Sequence, residues 1–227
     1  MTELRGRREF LTRAAGSGLI LVSSQAFAAP KSERGGQIPP TEDLMREHGV
    51  LRRILLIYDE AARRLVAGDP AVVSVIAAAA NIVRHFVEGY HEKLEEQFVL
   101  PTLEKAGKLI ELAGTIRVQH AAGRKLTESI LKISKESQIT STDRSALAAD
   151  MQSFGHMYAA HAAWEDTELF PVYRARFTES ELGKLGDSFE EQEHKLLGSG
   201  GFEGSLKAVG DLEQQLGIHD LAKYTPR

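Results

Sequence analysis

The chain has 227 residues, 42% of them hydrophobic and 26% charged, with a formal net charge of −4, which is enough for one substantial core in one or at most two domains. It contains no cysteine, so disulfides, iron–sulfur ligation, thiolate zinc and acylation of a cysteine are excluded. Acidic residues outnumber basic ones, 32 to 28, and no basic stripe runs along the chain, so nucleic acid is not an expected partner.

Residues 1–29 read as an address. Arg7 and Arg8 form a twin-arginine pair followed by Phe10 and Leu11, then a mildly apolar run from Ala14 to Val22, then the small-residue pattern Ala26-Phe27-Ala28-Ala29. This order resembles a bacterial twin-arginine (Tat) export signal. The resemblance implies passage through the Tat machinery and a periplasmic location. The apolar run is far short of the ~20 residues that span a bilayer, so no permanent membrane anchor is expected. Residues 30–40, with three prolines and two glycines, read as a linker.

Thr41 is expected to cap the first helix, in which Leu44, His48, Leu51, Leu55, Tyr58, Ala62 and Leu65 form one stripe at helical spacing. Gly68-Asp69-Pro70 ends it. The second helix is expected from about Pro70 to Leu100, with Ile76, Ala80, Val83, Val87, His91, Leu94 and Phe98 inward, and Pro101 and Gly107 marking the next break. A third, from about Lys108 to Lys135, places Leu109, Ile116, His120, Gly123, Thr127 and Ile130 or Leu131 on one side. A fourth, from about Asp143 to Arg174, turns Leu147, Phe154, Tyr158, His161 and Glu165 inward, and Pro171 is expected to kink or end it. Four long periodic segments with short connections predict an all-α antiparallel up-down four-helix bundle over 41–175. Residues 176–227 are expected to form a short helical extension, with helices within 178–197 and 202–216.

The chemistry lies in an internal repeat. Residues 91–101 read HEKLEEQFVLP and residues 161–171 read HAAWEDTELFP. Each is His-x-x-x-Glu with a proline ten residues after the histidine, and positions i and i+4 share a helix face. A lone histidine precedes each at a long interval, His48 before His91 and His120 before His161. The repeat supplies His48, His91, Glu95, His120, His161 and Glu165, mixed nitrogen and oxygen ligation that suits iron or another transition metal better than calcium or magnesium. The bland reading of the same six is a buried Glu–His hydrogen-bond network without metal. His85 falls nearly opposite its helix's stripe, on the face of Glu88, Glu92 and Glu96, and His156 also points outward, so both are expected in solvent. His194 is expected on the surface. Glu96 and Asp166 lie 100° around the helix from the proposed ligands, and Glu168 lies two turns beyond His161.

This arrangement resembles the hemerythrin-like (HHE cation-binding) family over about residues 41–175. The resemblance implies a non-haem di-iron centre with His48, His91, His120 and His161 as terminal ligands. Glu95 and Glu165 would bridge two iron ions, with an oxo or hydroxo group between them. Oxygen-carrying members have a fifth histidine where this chain has Arg124, and an Asp five residues after the last His, where this chain has Glu165 at four and Asp166 at five. The set is similar to bacterial di-iron proteins linked to nitrosative stress, without their cysteine-containing segment. The function expected is binding or sensing of O2, NO or peroxide. A peroxidase or NO reductase on the same site, with an unknown redox partner, and metal storage or delivery are the alternatives. Ferritin-type storage is disfavoured because such bundles use Glu-x-x-His pairs.

Overall fold

A computed structural model of the chain describes residues 38–226; the export signal expected over 1–29 and most of the linker expected over 30–40 lie outside the described residues. Helix α1 (Pro40–Val66) begins one residue before Thr41, because Pro40 needs no N–H partner in a first turn. Its buried stripe contains Leu44, His48, Leu51, Tyr58, Ala62 and Leu65, with Leu55 only partly buried. Gly68, at φ +91°, turns the chain. Helix α2 (Val72–Lys105) follows. It is long and apolar enough to cross a membrane, but half of its most apolar stretch is buried inside the fold.

Pro101 does not end α2. The helix widens into π turns at Val83–His91 and Glu95–Val99 and then resumes over Leu100–Lys105. A π turn pairs i with i+5 rather than i+4, so a proline placed just after one costs the ladder little. The same device recurs in helix α4, residues 141–174, where a π turn at Glu165–Leu169 precedes Pro171 and the helix runs on to Arg174. Gly107, at φ +65°, supplies the break after α2. Helix α3 (Ile110–Ile133) starts two residues later than expected, because Leu109 adopts a left-handed conformation at its N-cap. Helix α4 starts at Ser141, earlier than expected, because Thr140 and Asp143 form a reciprocal capping box.

Helices α1 and α3 each pack on both α2 and α4. The resulting helical bundle has a core that includes Ile54, Ile57, Tyr58, Phe86, Phe154 and Phe170, each such side chain contributing on the order of 1.5–3 kcal/mol by burial. No strand occurs among the described residues. Helices α5 (Glu179–Leu197) and α6 (Gly201–Leu216) cover α1 and α2. Phe189 lies against Phe98, Phe202 against Phe86, and the Arg53 guanidinium binds both carboxylate oxygens of Glu213. The C-terminal extension therefore shares the core rather than merely trailing from it.

Candidate metal centre

The stripes of the four helices bring all six expected residues to one place. His48, His91, Glu95 and Glu165 form one group, and Glu95, His120, His161 and Glu165 form a second, each with its ligand atoms within 4.8 Å of one another. The two groups share both glutamates. Every Nε2 faces inward. His48 Nε2 lies 3.2 Å and His161 Nε2 3.1 Å from the same oxygen of Glu165, while His91 and His120 lie 3.4 and 3.3 Å from opposite oxygens of Glu95. His48 and His91 present their Nε2 atoms to each other at 3.1 Å.

Each ring is aimed by a partner on Nδ1. Glu47 accepts from His91 at 2.6 Å, Asp166 from His48 at 2.7 Å, Glu96 from His120 at 3.1 Å and Gln119 from His161 at 2.9 Å. With Nδ1–H donated outward, Nε2 is the atom left to bind a cation. Arg52 pairs with Asp166, and Arg124 bridges Glu96 at 2.6 Å and Glu92 at 2.7 Å. Tyr158 donates its hydroxyl to Glu92 at 2.6 Å and rests its ring against His161. Gly123 makes room for it: a Cβ there would stand 2.1 Å from the Tyr158 oxygen.

The residues fit a cation. Glu95 and Glu165 are fully buried, yet none of their four carboxylate oxygens has a hydrogen-bond partner, and neither has His120 Nε2. Their contacts with the imidazoles are close but lack hydrogen-bond geometry. Buried charges of this kind are otherwise costly, several kcal/mol each by rough transfer estimates. Protons are the alternative occupants. Burial opposes charge on His91, but Glu95 and Glu47 outweigh it and hold the ring well above its ordinary value. Burial likewise opposes ionisation of Glu95, and His91 and His120 pull it well below the usual carboxylate range. His120, desolvated but held by Glu95 and Glu96, is pushed up to about 10.

His85 and His156 are exposed and stand apart from this centre, as the helical periodicity indicates, and His194 is on the surface as expected. Glu168 is exposed too, although helical periodicity puts it on the face of His161. Glu88 and Glu92 differ from expectation: they are buried, not on a solvated face. The π turns spread residues by less than 100° each and rotate these carboxylates inward. Glu96 and Asp166 are off the inward stripe, yet they reach histidines of neighbouring helices. Sequence reasoning missed them as partners, together with Glu47, Gln119 and Arg52, and gave Arg124 no acidic partner. A signal was present: each stands directly beside a member of the repeat, or one turn from a lone histidine.

The family model described as "Hemerythrin HHE cation binding domain" matches residues 40–173. The chain is 40% identical to the uncharacterized protein Rv1995 of Mycobacterium tuberculosis over 97% of its own length and 91% of the relative's. The same figures hold for the uncharacterized protein Mb2018 of Mycobacterium bovis. No solved structure matches.

Proposed function

From the premise that this chain belongs to the hemerythrin HHE cation-binding family, we propose that it is an exported non-haem di-iron protein that binds or senses a small oxidant such as O2, NO or peroxide. The observation that carries this reading is the pair of four-residue groups joined through Glu95 and Glu165. In this reading α1 to α4 form an antiparallel up-down four-helix bundle around the centre. His48 and His91 would hold one ion, His120 and His161 the other, and the two glutamates both. Export rests on the twin-arginine order of residues 7–29. Held by these six residues, a redox-active metal pair would supply an exchange of electrons with a small ligand.

The chain's own residues do the rest. Glu47, Asp166, Glu96 and Gln119 fix the tautomer and aim of the four rings. Phe170 stacks on His48 at 5.5 Å, and Tyr158 packs on His161 at 5.1 Å between ring centroids. These aromatic walls keep bulk water off the centre. Arg124 is held by Glu92 and Glu96 and so keeps its charge beside the centre without entering it. Metal content per chain and the optical spectrum with and without NO test the reading. Two irons per chain and a spectrum that changes with NO are expected. His91→Ala protein with undiminished metal content would refute the ligand assignment.

A further inference from the structure

The repeat extends beyond the six inward residues. Asp166 follows Glu165 and holds His48; Glu96 follows Glu95 and holds His120. Arg52, four residues after His48, engages Asp166, and Arg124, four residues after His120, engages Glu96. Glu47 precedes His48 and holds His91; Gln119 precedes His120 and holds His161. Among the partners of the four rings the two halves match until this last pair. There one half has a carboxylate and the other a neutral amide, in the same place and with nearly the same geometry, 2.6 Å against 2.9 Å. The other difference is Glu92, which binds Arg124 and Tyr158 and has Ala162 at its place in the other half.

The carboxylate–amide difference acts directly on a ring that faces the centre. A carboxylate accepting Nδ1–H makes Nε2 a stronger donor and adds a negative charge next to the cation, whereas an amide fixes the tautomer and adds no charge. Glu92 also brings a carboxylate oxygen within 4.8 Å of a His120 nitrogen, but its oxygens are engaged by Tyr158 and Arg124, which offset its charge. His161 and His91 are equally buried, and a surface pocket adjoins the His161 side. This pocket, of about 200 Å³, lies between α3 and α4, lined by Leu112, Ile116, Gln119, Ala160, His161 and Trp164. Gln119 and His161, hydrogen-bonded to each other, both line it.

We propose that the two positions are inequivalent: the ion at His48 and His91 is retained, and the ion at His120 and His161 is the weakly held, exchangeable one, with Gln119 in place of a glutamate setting the difference. This rests on the metal-pair reading and goes beyond it by assigning the exchanging position to one half of the chain. Loss of an outer partner of a ligating histidine changes metal affinity by roughly 10–100-fold. The amide is only half of such a loss, so the two steps are expected to differ by about 10-fold.

Metal-free full-length protein is titrated with Co2+ under argon. Trp164, the sole tryptophan of the sequence, lines the pocket at His161 and reports on that position through quenching. Two binding steps are expected, with Trp164 fluorescence falling mainly on the second. Gln119→Glu should tighten the second step by about 10-fold and merge it with the first, and Glu47→Gln should weaken the first by a similar factor. Both replacements keep size and hydrogen bonding, and they move opposite steps in opposite directions, which a general loss of folding cannot imitate. Two coincident steps in the unmodified chain, quenching on the first equivalent, or steps that neither replacement moves would overturn the inference while leaving the metal pair standing. Uptake of less than a pair would overturn both.

Discussion

Gly123→Ala isolates the most crowded contact beside the centre. The new methyl would meet the Tyr158 oxygen at 2.1 Å and two of its ring carbons at 2.7 and 2.8 Å, so the ring must retreat by about 1 Å or more to reach ordinary contact. It has little room, with Phe154 stacked on it at 4.3 Å and His161 at 5.1 Å. Overpacking of this kind costs about 1–3 kcal/mol. Weakening the hydroxyl's bond to the buried Glu92 carboxylate adds about 1.5–3 kcal/mol. Alanine returns up to ~1 kcal/mol of helix propensity. The net expectation is a loss of about 1.5–6 kcal/mol. Gly114→Ala is the matched control, since it lies in the same helix with nothing within 4 Å of the new Cβ, and it should gain up to ~1 kcal/mol. Urea unfolding of the three proteins in the same metal state measures the difference. Equal midpoints for the two variants would refute the claim that Gly123 exists to admit Tyr158.

Metal loading should release protons from His91 and His120, which are held above their ordinary values in the metal-free centre, and none from Glu95, which is held below its own and is already ionised. The sign follows: the raised imidazoles stabilise the metal-free fold below their unfolded values, and that contribution is lost as pH rises through the folded ones, toward about 10 for His120. Metal affinity should therefore climb with pH over the same range. Calorimetry of metal binding in buffers of different ionisation enthalpy checks this, and heats independent of buffer would contradict it. Arg53→Ala should cost about 1–3 kcal/mol by leaving the buried Glu213 carboxylate unpaired. Amide exchange should then rise in α6 ahead of α4, and unchanged protection of α6 would argue against the pair as its clasp.

The helices and the inward stripe were legible because a 3.6-residue period survives any detail of capping. His48, His91, Glu95, His120, His161 and Glu165 are brought together as that period indicates. Boundaries were less legible. Pro101 reads as a stop, and Pro171 as a kink or an end, only while every turn is taken as an α turn, and the π turns before them remove that premise. The end of α4 at Arg174 is where the sequence places it. The same premise placed Glu88 and Glu92 in solvent. The partners of Nδ1 were hidden for another reason: Glu96 and Asp166 act across to α3 and α1, and a single helix's periodicity contains nothing about its neighbour.

The exchange of outer partners between the halves bears on how such a repeat can drift. Asp166 serves a histidine of the first half and Glu96 one of the second, so a substitution at either is inherited as a defect in the other half's ring. Those positions are bound to each other's history. Glu47 and Gln119 instead serve histidines within their own halves. They are the contacts free to diverge separately, and it is there that the two copies have become chemically different.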